Sequence, residues 1–142
     1  MTPLARLNAL PGRFIPRDAA LLLLRIAIAT PFWLSGRTKV DGLLTLNEGT
    51  RFLFAEEYKV PVLPPEIAAH LATYAEHLFP LLLVLGLATR LSALGLIGMT
   101  LVIQLFVYPE AWGVHLLWAG PLVYLVSQGP GGWSFDRALK LD

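Results

Sequence analysis

Five polar side chains stand inside stretches of the sequence that are otherwise apolar. Glu76 and His77 are neighbours in the middle of one stretch, and Arg25, Gln104 and His115 lie in three others. A charged side chain costs about 2.5–3.5 kcal/mol at the centre of a membrane helix, so such residues usually pair with one another or line a cavity. A carboxylate beside hydrogen-bond donors can bind a small polar head group and transfer a proton. These five residues are therefore our candidate intramembrane polar pocket.

Arg25 is the most costly member of this set. Leucine, isoleucine and phenylalanine in its stretch favour insertion by about 0.3–0.6 kcal/mol each, roughly 2–4 kcal/mol together, and Arg25 nearly cancels that sum. A partner inside a helical bundle would stabilise the segment, and we expect Glu76 to be that partner. Two alternatives stay open: Arg25 extends to the nearer membrane surface, and Glu76 is protonated or bonds a neighbouring helix.

The histidines give little support for a metal site, and we expect none. His70 and His77 stand about 10 Å apart along one helix, and no HExxH spacing occurs. The absence of cysteine excludes Cys-bound zinc, an iron–sulfur cluster held by this chain and thiol–disulfide catalysis. His77 and His115 could ligate a haem from facing helices, but a hydrogen-bonded packing role is more common for a lone histidine.

The composition indicates hydrocarbon rather than water as the solvent of this chain. Of its 142 residues 56% are hydrophobic and 15% charged, whereas soluble domains have about 25% charged residues. The mean hydropathy is +0.62. Eleven basic residues nearly balance ten acidic ones, so nucleic acid is not an expected partner. We predict one membrane domain over residues 1–142 with the lipid bilayer as its partner.

Four apolar stretches are long enough, or nearly so, to cross about 30 Å of hydrocarbon as helices. Their apolar residues run continuously instead of alternating, and Leu and Ala outnumber β-branched residues, which favours helices over strands. Short connections make sequential helices antiparallel. The predicted fold class is all-α, an integral membrane four-helix antiparallel bundle. The helices are expected at about 18–36, 65–87, 90–108 and 111–127.

Residues 37–64 form the one long connection, in which leucine and phenylalanine mix with charged residues before a group of prolines. This composition favours one or two short helices at the membrane–water interface. Six Lys and Arg residues flank the helices on the side of the termini, and four flank them on the other side. The bias predicts a multi-pass membrane protein with both termini in the cytoplasm.

An ordered set of short motifs over roughly residues 18–137 resembles the DoxX family of small four-helix membrane proteins. The motifs are Leu24-Arg25, Phe32-x3-Gly36-x2-Lys39, Val60-Pro61, Pro64-Pro65, Glu76, Leu85-Gly86-Leu87-x2-Arg90 and Gly129-Pro130-Gly131-Gly132-Trp133-Ser134-Phe135-Asp136. By this resemblance Lys39 and Arg90 join Arg25 and Glu76 as polar positions typical of the family. The resemblance carries no settled catalytic role for any of them.

The resemblance implies a cytoplasmic-membrane protein. Relatives are linked to sulfur and quinone redox chemistry, including a thiosulfate:quinone oxidoreductase subunit, and to membrane complexes that handle oxidative stress. We therefore predict a redox-associated subunit or accessory protein whose pocket binds a quinone or another small polar-headed molecule. Arg25 or His77 would donate to a quinone oxygen, and Glu76 would relay the proton. A redox protein partner or a bound cofactor would supply electrons.

Two functions of other classes stay open. A non-catalytic membrane scaffold that recruits partner proteins would use the polar cluster only for folding specificity. A small-solute carrier is less favoured, because the sequence has no internal repeat and no evident pair of broken helices. A homo-oligomer is compatible with each of these functions.

Overall fold

Seven α-helices dominate the computed structural model, which describes residues 2–142. Two of them continue as wider π-helical turns, α3 into Leu53–Tyr58 and α5 into Ile103–Val107. The α-helices are α1 Pro3–Phe14, α2 Arg17–Thr38, α3 Glu48–Phe52, α4 Pro65–Leu85, α5 Thr89–Val102, α6 Trp112–Gln128 and α7 Phe135–Ala138.

Three helical segments within residues 2–142 are long and apolar enough to cross a membrane. They are Arg17–Thr38, Pro65–Leu85 and the continuous segment Thr89–Val107. α6 has 17 residues and no charged side chain, so it is slightly shorter than these three. The mostly helical fold and these apolar segments agree with the predicted all-α membrane protein.

The four long helices contact one another in a ring. α2 packs on α4, α4 on α5, α5 on α6, and α6 on α2. An apolar core lies inside the ring, and leucines also cover the outer surface of the ring. Leu23, Leu78 and Leu117 are 67%, 52% and 74% exposed, which suits contact with acyl chains. The core residues are Leu21, Ile28, Ala29, Phe32, Leu83, Ala93, Leu96, Leu122 and Leu125.

The long connection contains a hairpin that the sequence does not predict, besides the predicted short helix. β1 (Val40–Asp41) pairs antiparallel with β2 (Thr45–Leu46), and Val40 lies opposite Leu46. Gly42 adopts a φ of 69°, a left-handed conformation that glycine reaches without strain. Leu46 packs with Phe54 against the start of α4, so the connection is fixed over one end of the helices.

α1 is a second element that the sequence analysis does not predict. Leu4, Leu7 and Phe14 project from one side and are 64–81% exposed. Arg6 and Arg13 lie two helical turns apart on another side, about 120° around the helix from the apolar residues. None of the residues of α1 is buried. A helix with this pattern is typical of a membrane–water interface.

The segment after α6 folds back across the other end of the ring. The carboxylate of Asp136 accepts hydrogen bonds from the backbone N–H of Ala88 at 2.6 Å and of Thr89 at 2.9 Å. These donors lie at the start of α5, where backbone N–H groups lack partners within the helix. The backbone N–H of Gly132 donates to Asp18 at 2.7 Å. The C-terminal segment thereby joins the starts of α2 and α5.

Candidate functional site

A cavity of about 340 Å³ lies between the long helices, beneath the connection that joins α2 to α4. This volume is at the lower end of the range for small-molecule sites, roughly 300–1,000 Å³. The wall is mostly apolar and includes Met99 and Trp118. The polar side chains in it come from α2, α4, α6 and the two π-helical segments or their ends. They are Ser35, Lys39, Tyr58, Glu76, Tyr108 and His115.

Lys39 and Glu76 form a buried ion pair in the wall of this cavity. Lys39 Nζ lies 2.7 Å from Glu76 Oε2, and the two side chains are 14% and 5% exposed. Lys39 Nζ also donates to Ser35 Oγ at 2.8 Å, and Ser35 Oγ donates to Glu76 Oε1 at 3.1 Å. Ser35 and Lys39 are four residues apart at the end of α2, so both reach the same side of that helix. The three side chains form one closed polar group.

The predicted pairing of Arg25 with Glu76 is wrong. Arg25 is fully buried and donates to the backbone carbonyls of Leu83 at 3.1 Å, Val84 at 3.0 Å and Trp133. α4 ends at Leu85, so its last carbonyls lack partners within the helix and carry the negative end of its dipole. These carbonyls offset the cost of burying the guanidinium. They lie about 10 Å along α4 from Glu76. Arg25 therefore neither lines the cavity nor extends to the surface.

His77 lies next to Glu76 in the sequence, but it does not line the cavity. Its Nδ1 is 2.7 Å from the backbone carbonyl of Thr73, and its ring meets the edge of Trp33 with centroids 5.2 Å apart. A Cβ at Gly36 would lie 2.9 Å from the His77 ring. His77 thus packs α4 closely on α2, and glycine at position 36 makes room for it.

His115 and Gln104 form a hydrogen-bonded pair, with His115 Nδ1 2.6 Å from Gln104 Oε1. His115 lines the cavity, whereas Gln104 lies behind it and donates through Nε2 to the carbonyl of Pro109 at 2.6 Å. Arg90 lies outside the cavity and donates to the backbone carbonyls of Val126 and Ser127 near the end of α6. Arg90 therefore binds the C-terminal end of α6 and does not contribute to the cavity wall.

Three polar side chains of the cavity are absent from the sequence-based set. Ser35 could have been found by its spacing of four residues from Lys39. Tyrosines near helix ends are typical of the aromatic belt at a membrane interface. Tyr58 and Tyr108 also line the cavity, where the hydroxyl of Tyr108 donates to that of Tyr58 at 3.4 Å. Burial raises the pKa of Tyr58 above its ordinary value. The phenol therefore remains a neutral donor and acceptor at physiological pH.

Within residues 2–142, no three histidine, aspartate or glutamate side chains converge in a group able to hold a metal ion. His70, which the sequence analysis considers with the other histidines, contacts the carbonyl of Glu66 at 2.8 Å.

Comparison with known proteins confirms the predicted relationship to the DoxX family. The family model described as DoxX matches residues 20–109, the region from α2 to just past the π-helical continuation of α5. An uncharacterized protein of Haemophilus influenzae is 31% identical over 135 residues, which cover 89% of this chain and 87% of that protein. No solved structure matches the chain. With more than half of its length matched by the family model, the chain belongs to the DoxX family.

Proposed function

We propose that this protein is a redox-associated membrane protein whose cavity binds the head group of a quinone or a similar aromatic amphiphile. The observation that carries the proposal is the buried Lys39–Glu76–Ser35 group in the wall of an otherwise apolar cavity. Burying an ion pair is costly unless its remaining hydrogen-bonding capacity is satisfied. Such a pair in a cavity wall is a typical feature of a site that orients a polar ligand atom.

The chemistry of a quinone head group fits this wall. Its flat ring would contact apolar side chains such as Met99 and Trp118. Lys39 has three N–H hydrogens, and its third contact, with the carbonyl of Ser35, is long at 3.4 Å. Lys39 can therefore donate to a ligand oxygen, the role that we predicted for Arg25 or His77. Glu76 is the carboxylate beside that donor and retains its proposed role as proton relay, with electrons supplied by a partner redox protein.

The side walls of the cavity suit entry from the hydrocarbon phase. Leu71 of α4 and Val102 of α5 both line the cavity, and they are 55% and 38% exposed. Each side chain therefore contributes both to the inner wall and to the outer, lipid-facing surface. This arrangement favours a ligand that is dissolved in the membrane, as quinones with long tails are.

The proposal places the four long helices across the cell inner membrane as an antiparallel bundle with both termini in the cytoplasm. The exposed leucines of the ring then face acyl chains. α1 would lie along the inner membrane surface, with Leu4, Leu7 and Phe14 in the interface and Arg6 and Arg13 near lipid phosphates.

Filling the cavity with a larger side chain is expected to abolish ligand binding. In Ala75→Phe the new ring enters the cavity from α4, because Ala75 lines its wall. The purified protein is titrated with a short-tailed benzoquinone while tryptophan fluorescence is recorded, since Trp118 lines the same cavity. We expect saturable quenching in the unaltered protein and an affinity at least about tenfold weaker in the variant, a difference of ~1.4 kcal/mol.

Gly98→Phe is the matched control for this experiment. It adds the same ring to α5 at a position where a Cβ meets no atom within 4 Å, and it should bind as the unaltered protein does. Equal quenching curves for the Ala75 and Gly98 variants would show that the quinone does not occupy this cavity.

A further inference from the structure

The orientation of the Gln104 side-chain amide is fixed by its contacts. The carbonyl oxygen of Pro109 can only accept a hydrogen bond, so the Gln104 atom 2.6 Å from it is the Nε2 donor. The amide oxygen Oε1 consequently faces His115. A reversed amide would place two acceptor oxygens 2.6 Å apart.

This amide fixes the hydrogen of the His115 ring. Gln104 Oε1 can only accept, so His115 Nδ1, at 2.6 Å, must donate its hydrogen. In the neutral ring Nε2 then has a lone pair and no hydrogen. Nε2 is the ring nitrogen that remains for a ligand, because His115 lines the cavity and Nδ1 is occupied. The wall therefore presents a hydrogen-bond acceptor at this point.

We propose that His115, positioned by Gln104, makes the cavity select an aromatic ligand that carries a hydroxyl group, such as a hydroquinone or phenol, over the same ring with only acceptor oxygens. The inference rests on the proposed function and specifies its ligand. A hydroxyl donates to His115 Nε2, and its oxygen can still accept from a donor such as Lys39. A carbonyl or ether oxygen would face the lone pair of Nε2 and leave it without a partner, which is costly in a buried site.

A matched pair of ligands tests for the hydroxyl hydrogen, and the His115 variant separates its effect from that of ligand size. Para-pentylphenol and para-pentylanisole share the ring and tail, but the second has a methyl group in place of that hydrogen. By tryptophan fluorescence we expect the phenol to bind at least about tenfold more tightly, since sites built to pair a hydroxyl reject analogues that lack it. The preference should fall to about onefold in His115→Phe and persist in His70→Phe, a histidine outside the cavity.

The ring hydrogen is measured separately by 15N NMR of the histidine-labelled protein in detergent. The signal that His115→Phe removes is expected to be that of a neutral ring with its hydrogen on Nδ1. In Gln104→Leu, which removes the acceptor for that hydrogen, the population with hydrogen on Nε2 should increase and the phenol preference should fall. This spectrum reports on the ring even where a variant binds poorly.

The outcomes that overturn the inference differ from those that overturn the proposed function. One outcome is that the benzoquinone and both para-pentyl ligands bind, with the anisole as tight as the phenol. The cavity is then a ligand site, but His115 does not select for a hydroxyl group. A cationic ring, or a ring with hydrogen on Nε2, in the unaltered protein also overturns the inference. If none of the three ligands binds, both the inference and the proposed function fail.

Discussion

Arg25→Ala is expected to destabilise the protein by roughly 3–5 kcal/mol, since each hydrogen bond from a charged donor contributes about 1.5–3 kcal/mol. The change removes the donor to Leu83, Val84 and Trp133 at once, and it leaves a space at a fully buried position. The measurement is the free energy of unfolding in mixed micelles, from a titration with a denaturing detergent followed by tryptophan fluorescence.

Two further substitutions sharpen this test. Arg17→Ala removes an exposed arginine from the first turn of the same helix and should change the unfolding free energy by less than about 1 kcal/mol. Arg25→Lys keeps the charge but loses the planar set of donors, so an intermediate loss is expected. If Arg25→Ala unfolds at the same detergent concentration as Arg17→Ala, the guanidinium does not hold the end of α4 and the C-terminal segment together.

The second large effect is expected from breaking the Lys39–Glu76 pair. Lys39→Met leaves the Glu76 carboxylate buried without its cation, and the loss of one partner of a buried pair typically costs about 3–5 kcal/mol. Glu76→Gln leaves the ammonium without its carboxylate. The double variant has neither charge and should be more stable than the sum of the two single losses implies, with a coupling energy of about 1–3 kcal/mol.

The exposed pair Arg51–Glu66 is the matched control for this double-mutant cycle. Its side chains are 45% and 52% exposed, and exposed pairs contribute only about 0.2–1 kcal/mol. Both cycles are measured by the same detergent titration. Additive losses at Lys39 and Glu76, with a coupling energy no larger than that of the exposed pair, would contradict a buried ion pair in the cavity wall.

Hydropathy predicts the membrane helices well because their signal is carried by many residues at once. The apolar stretches lie in α2, α4, α5 and α6, and within residues 2–142 three of these segments reach the length of a membrane span. α1 and the hairpin are harder to predict. The amphipathic spacing of Leu4, Leu7 and Phe14 is present in the sequence but interrupted by Pro11 and Gly12, and two-residue strands have no periodicity to detect.

The site is predicted less well than the fold. The free-energy cost of burying a polar side chain identifies residues that need partners, and Glu76 and His115 do line the cavity. That cost does not indicate which group the partner is. Burying Arg25 and burying Glu76 are both unfavourable, but the two side chains do not pair. Arg25 donates instead to backbone carbonyls in the last turn of α4, which ends before Gly86. Lys39 lies just past the predicted end of the first helix. Because α2 extends to Thr38, the backbone at Lys39 is still helical, and the Lys39 side chain reaches Glu76.

Native mass spectrometry of the protein, extracted gently from the membrane in which it is made, shows directly whether the cavity holds a small molecule. We expect the unaltered protein and Gly98→Phe to retain a molecule with the mass of an isoprenoid quinone or quinol, and Ala75→Phe to lose it. A spectrum that shows only phospholipid adducts, equal in all three proteins, or a stoichiometric protein partner with no small molecule bound, would contradict a ligand cavity and favour a scaffold.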